Sequence, residues 1–177
     1  MQSYVGREIM KRRKHRTVRG LLILVAALIV LAVIAFAVTE SGVTRLNHYS
    51  RLDFRLGEHI DGIDSEEDAA AYSERHYEFF SDERGSGIKL AGANTRYYLG
   101  KHLGRYCVIG VWSNDLDCSV MSITTGMSEL DAKSLLLDAG YRMKGGAYNK
   151  CRAQNGNVFV ELEFMRGDVV AIAAYYK

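Results

Sequence analysis

Residues 147–176 read AYNKCRAQNGNVFVELEFMRGDVVAIAAYY. Within this stretch Val158, Val160, Leu162 and Phe164 alternate with Glu161 and Glu163, the period of two that gives a strand one apolar and one wet face. The pair Asn155-Gly156 ahead of it is a hairpin signal, because a type I′ turn needs positive φ at both central residues and Asn and Gly tolerate it. AYNKCRAQ is therefore expected to pair with NVFVELEF, and Arg166-Gly167-Asp168 to turn the chain into a last strand, VVAIAAYY. With Asn155 and Gly156 as the turn, residue 151 lies opposite residue 160, so Cys151 shares the inward face with Val160 and is expected to be buried.

A helix precedes this meander. In TTGMSELDAKSLLLDAGY (124–141), Ser128 and Asp131 supply an N-cap acceptor and a carboxylate three residues on. Ala132, Leu135, Leu136 and Ala139 follow at helical spacing, and Gly140 suits the C-cap. An earlier segment, IDGIDSEEDAAAYSERHYEFF (60–80), has a similar form: Asp64 with Glu67 at a helix start, then Ala69, Tyr72, His76 and Phe79 on one face. Gly62 and Gly126 are 64 residues apart, as are Tyr77 and Tyr141, which hints at an internal repeat. IKLAG, TRYYLG, CVIGVW and DCSVMSIT read as strands of the first half, the last two joined by a turn at Ser113-Asn114-Asp115. Gly85-Ser86-Gly87 and Ala91-Gly92 read as connecting turns. The expected fold class is α+β: one N-terminal transmembrane helix, then helix plus antiparallel β-meander units, two in tandem, with the helices on one face of a continuous or paired sheet.

TTGMSELDAKSLLLDAGY followed by a meander ending FMRGDVVAI resembles the BamE and β-lactamase inhibitor protein group. The similarity covers about residues 123–177, and the tandem arrangement of the inhibitor extends it to about residue 55. It implies a small non-enzymatic domain that binds other proteins at the cell envelope. The chain departs from BamE in lacking a Cys near its N-terminus for lipid modification. A PASTA-like wall-binding repeat is similar at the helix and the spacing, but the chain has no proline.

At the other end, LLILVAALIVLAVIAFAV (21–38) is apolar throughout, and as a helix its eighteen residues rise about 27 Å, close to the hydrocarbon thickness of a bilayer. A core helix would show a polar stripe, and this run has none. Ala35-Phe36-Ala37 has the form that signal peptidase accepts, but the run exceeds the length usual for a cleaved signal. Seven Lys or Arg and one Glu precede it in residues 1–19, a net charge of +6, whereas residues 39–177 sum to −4. The charge bias places residues 1–20 in the cytoplasm as a basic tail, 21–38 in the bilayer as a lipid-contacting signal-anchor, and the rest outside the cytoplasm. Residues 39–54 are expected as a stalk, 55–124 as a first α+β unit and 125–177 as a second. The mildly acidic outer part has no electrostatic footprint for nucleic acid.

Chemistry is sparse. Cys107, Cys118 and Cys151 allow any one of three disulfides, and none has a His nearby in sequence to activate it, so structural roles are expected. His15, His48, His59, His76 and His102 are scattered without metal-binding spacing. Asp61, Asp64, Glu66, Glu67 and Asp68, with His59 near, offer oxygen ligands but lack the EF-hand pattern, and a solvated helix start is the expected reading. No GxSxG, Walker or dinucleotide fingerprint is present. No catalytic, cofactor-binding or metal-binding residue is assigned. The expectation is a membrane-anchored, extracytoplasmic protein-binding module of the bacterial envelope, with a PASTA-like wall or carbohydrate-binding module as the alternative. Tyr97, Tyr98, Tyr106, Trp112, Tyr175 and Tyr176 would serve either.

Overall fold

The computed structural model describes residues 21–34, 42–72 and 77–176, in two compact units, 1–38 and 39–177. In the first unit residues 21–34 are helical and every one is exposed, Ile23 at 70% and Leu31 at 63%. Among the described residues no helix is long and apolar enough to cross a membrane. This corrects the transmembrane helix expected over Leu21 to Val38: Ala35 to Val38 lie outside the described residues, as do the basic tail and His15.

The second unit is built mainly from one large antiparallel sheet, which overturns the expected α+β class with two units in tandem. Its helices are short: α1 (42–48), α2 (Glu66–Ala71) and α3 (Glu129–Asp138). The strands are β1 (Tyr77–Asp82), β2 (Gly85–Leu90), β3 (Arg96–His102), β4 (Arg105–Ser113), β5 (Ser119–Val120), β6 (Ile123–Thr124), β7 (Arg142–Gly145), β8 (Lys150–Asn155), β9 (Val158–Met165) and β10 (Asp168–Tyr176). Eight of them form one sheet in the order β1-β2-β3-β4-β10-β9-β8-β7, while β5 and β6 pair only with each other. Each half is thus a four-stranded meander, and the halves join through their last strands, Ala174 opposite Val111 and Ile172 opposite Ser113. β4 meets β10 directly, so the sheet runs unbroken through both halves.

Alternation decides which face is inside. Val158, Val160, Leu162 and Phe164 of β9 are buried; Val160 lies between Ala174 of β10 and Ala153 of β8, and Leu162 between Ile172 and Cys151. They join Tyr97, Leu99, Val108, Val111 and Ile88 in a core that α1, α2, α3 and the loops cover. The expected hairpin register needed correction: Asn155 pairs with Val158, so Gly156 and Asn157 are the turn and Cys151 faces Leu162. Gly156 has φ +61 and Asn157 has no positive φ, the pattern of a type II′ turn rather than type I′. The slip is two residues, which preserves parity, so Cys151 is still buried on the core face.

Local signals explain the helices. Ser128 Oγ accepts from Asp131 N–H at 3.2 Å and donates to its carboxylate at 2.7 Å, closing a capping box. At the far end Gly140, at φ +82, lets its own N–H reach Leu137 C=O and that of Tyr141 reach Leu136 C=O, which is a Schellman stop. Ala132 and Leu136 are fully buried, and Leu135 and Ala139 pack against the core. The first helix differs from expectation. Its cap is Ser65 with Asp68, not Asp64 with Glu67, and it ends after Ala71, so Phe79 lies in β1; His76 is outside the described residues. DCSVMSIT does not pair with β4, because Met121 and Ser122, at φ +55 and +62, fold it back into the β5-β6 hairpin. Gly87 belongs to β2 rather than a turn: a Cβ there would meet Tyr97 O at 1.9 Å, so only glycine permits that approach. In the stretch expected as a stalk, Val43, Leu46 and Phe54 are buried in the core.

Candidate functional site: the ion-paired aromatic face

Strand pairing fixes what the opposite face of the sheet carries. Phe80 is opposite Gly87, Gly87 opposite Tyr98, Tyr98 opposite Gly110, Gly110 opposite Tyr175, and Tyr175 opposite Phe159, so one row crosses six strands. The next row runs Lys89, Arg96, Trp112, Ala173, Glu161 and Arg152. Residues in such rows are neighbours on one face. Here five aromatic rings sit among fixed charges, with small residues along the central seam.

Two clusters of similar composition stand on either side of that seam. In the first, Asp82 accepts from the Arg84 backbone N–H at 2.9 Å, from Arg96 at 2.9 Å and from the Tyr98 hydroxyl at 3.0 Å. Burial pushes the Asp82 pKa up, but these donors outweigh it and hold the carboxyl below its usual range. Phe80 meets Tyr98 edge to face at 5.2 Å, and Arg96 lies over Phe80 and Trp112 at 5.7 and 5.1 Å. In the second, Glu161 accepts from the Tyr175 hydroxyl at 2.7 Å and from Arg152 Nε at 2.5 Å. Burial again raises its pKa, and the bonds from Tyr175 and Arg152 overcome that and lower it. Burial and the Glu161 carboxylate together push Tyr175 up to about 12. Phe159 stacks on Tyr175 at 5.6 Å with Arg152 over it at 5.9 Å.

One ion pair connects the clusters. Arg84, in the β1-β2 turn, places Nη2 3.4 Å from Glu163 on β9, which also accepts from Lys150 at 2.7 Å. Four strand spacings separate β2 from β9, roughly 19 Å on a flat sheet, more than two side chains span. The sheet is therefore curled toward this face. Two hollows of about 360 and 370 Å³ lie along it; Arg84 and Tyr98 line both.

The residues singled out from sequence lie elsewhere or have structural partners. Cys107, Cys118 and Cys151 are free and buried, with burial raising each thiol's pKa. Cys151 Sγ lies 3.4 Å from Met143 Sδ. His59 donates through Nδ1 to Tyr106 O at 3.0 Å, and His102 stacks on Tyr176 at 3.9 Å. Asp68 is occupied by Ser65 and the Asp64 N–H. Among the described residues no group of three or more His, Cys, Asp or Glu side chains is placed to hold a metal. Of the six aromatics named from sequence, Tyr98, Trp112 and Tyr175 form this face, while Tyr97, Tyr106 and Tyr176 belong to the core side.

Asp82, Arg84, Arg96, Arg152, Glu161 and Glu163 were not expected as a group. One signal was present. In the observed register Arg152 faces Glu161 and Lys150 faces Glu163, so opposite charges meet directly, whereas the expected register set Arg152 against Phe159. No protein-family model, curated protein or solved structure matches the chain.

Proposed function

We propose that this chain is a membrane-tethered, extracytoplasmic module of the bacterial envelope that binds a protein partner through the ion-paired aromatic face and catalyses no reaction. The observation that carries the reading is a sheet with two furnished faces: the core elements cover one, while the other bears half-buried Phe80, Trp112 and Tyr175, packed with buried Tyr98 and Phe159, in a frame of ion pairs. Aromatic and Arg side chains are what protein interfaces use as anchors, because they bring large rigid surface at small entropic cost. Contact with a lipid bilayer through Leu21 to Val38 is supported by the uncharged run, the +6 tail before it and the exposure of every residue from 21 to 34. Tethering makes modest affinity sufficient, since a neighbouring membrane protein is at high effective concentration. The resemblance to the BamE and inhibitor group points the same way.

The test is crosslinking from this face. A photoreactive residue in place of Lys89, on the face, should capture a defined envelope protein in intact cells, while one at Glu67 of α2 should not. Equal capture at both positions, or none, would sink the reading. Retention on purified peptidoglycan, lost when Trp112 is replaced by Ala, would instead support the wall-binding alternative.

A further inference from the structure

We propose that Arg84 is an electrostatic strap across the curled face, and that a carboxylate of the bound partner releases it. The release step rests on the protein-binding reading; the strap does not. Three observations carry it. Arg84 projects from a two-residue turn of the first half of the sheet, and its guanidinium pairs across the face with Glu163 of the second half, 79 residues away. It lines both hollows, as Tyr98 does, and so stands between the one that reaches Trp112 and the one that reaches Arg152. The link is weakly held on one side only: the Arg84 side chain is 41% exposed and 3.4 Å from Glu163, while Glu163 keeps Lys150 at 2.7 Å when Arg84 leaves.

An exchange of partners is therefore inexpensive. Arg84 gives up one carboxylate and gains another from the ligand, and Glu163 stays neutralised by Lys150. The other face cations are less available. Arg96 is held by Asp82 and stacked on two rings, and Arg152 bonds Glu161 through two of its nitrogens. Lys89 and Lys150 pair with Glu78 and Glu163 at 3.2 and 2.7 Å, both closer than Arg84 sits to Glu163. Arg84 is thus the cation whose release costs the face least, and the partner chemistry that matches it is an acidic side chain on a protruding segment.

Trp112 reports the motion directly: it is the sole tryptophan and lines the hollow that Arg84 and Glu163 close. Acrylamide, being neutral, quenches it according to access. In the full-length protein in detergent micelles, quenching should rise about twofold from low to high salt, since an exposed ion pair biases an equilibrium by a factor of roughly 1 to 5 and salt screens it. Glu163→Gln, which leaves Arg84 in place, should quench at the high-salt level in low salt and lose the salt response. Arg84→Ala should do the same, with thermal unfolding confirming that both variants fold. Quenching of Glu163→Gln identical to wild type at both salts would overturn the strap. At matched ionic strength, acetyl-Gly-Glu-Gly-amide should raise wild-type quenching and acetyl-Gly-Lys-Gly-amide should not; equal effects would overturn release by a carboxylate. A strap confirmed by quenching with no crosslinked partner would fault the protein-binding reading alone.

Discussion

The second half of the sheet is lined by a helix, the first by a loop. Under β7 to β10, α3 lays Ala132 and Leu136 into the core from a regular stripe. Under β1 to β4, α2 buries only Ala69, and the space is filled by Phe54, Leu56, Ile60 and Ile63 from the segment before it. Phe54 sits 5.2 Å from both Tyr77 and Tyr97, and Gly57 and Glu58 exchange backbone hydrogen bonds with Val108. The same meander can therefore be completed by periodic or by irregular chain, provided the apolar side chains reach the inner face. What is held in common is the sheet, and the outer face repeats the lesson with two Tyr–carboxylate–Arg clusters built from different strands.

The sharpest way to break this comparison is to remove core volume from each half. Leu136→Ala and Ile63→Ala should each cost about 2–5 kcal/mol, because both side chains are fully buried and leave cavities. Since β4 and β10 join the halves in one sheet, calorimetry should find a single unfolding transition of residues 39–177 lowered by either change. Two separate transitions, one untouched by each substitution, would show that the halves fold independently.

This difference between helix and loop also explains what was legible in the sequence. The α3 stripe, its Ser128 cap and its Gly140 stop are encoded within eighteen residues, so local rules find them. The strands of the last meander are legible because alternation is local too. Loop residues such as Phe54, Ile60 and Ile63 carry no period, and their burial depends on chain that arrives from elsewhere, so local pattern alone favours a stalk and a long first helix. Ser65 and Asp64 are neighbours with equal capping propensity, and nothing local chose between them. The outer face was illegible for a different reason: the pairing of β4 with β10 joins residues about sixty apart, and only that pairing brings Tyr98 and Tyr175 to either side of Gly110.

The caps sharpen the comparison at smaller scale. Ser128→Ala should cost about 1 kcal/mol, the usual loss for an N-cap of a helix that carries core residues. Ser65→Ala should cost no more than about half of that, because six-residue α2 contributes one small buried side chain. Equal midpoint shifts in urea would mean that α2 matters to its half as much as α3 does.

Titration separates the two clusters from the core. Asp82 and Glu161 have folded pKa values held below their ordinary 3.8 and 4.5, so the stability they contribute is present above those values and is lost as pH falls through the depressed ones. Tyr175 is raised from 10.0 to about 12, so its contribution is present below about pH 10 and lost as pH rises through about 12. Carboxylate NMR should show Tyr98→Phe raising Asp82 alone and Tyr175→Phe raising Glu161 alone. Either change moving both carboxylates would mean that the clusters are coupled across Gly110 rather than separate.

The smallest effects should come from the arginines themselves. Arg96 and Arg152 have side chains 41% and 49% exposed, so water already screens their ion pairs, and pairs of this kind contribute about 0–1 kcal/mol. Arg96→Ala and Arg152→Ala should therefore lower stability by less than about 1 kcal/mol each, part of it lost packing over Trp112 and Phe159 rather than lost charge. The carboxylates respond differently, because Asp82 keeps the Arg84 backbone N–H and the Tyr98 hydroxyl, whereas Glu161 keeps only the Tyr175 hydroxyl among its hydrogen bonds. Arg152→Ala should consequently raise the Glu161 pKa more than Arg96→Ala raises that of Asp82. Paired NMR titrations decide it, and a larger rise at Asp82 would show that the backbone donor in the β1-β2 turn does not hold that carboxylate as the geometry implies.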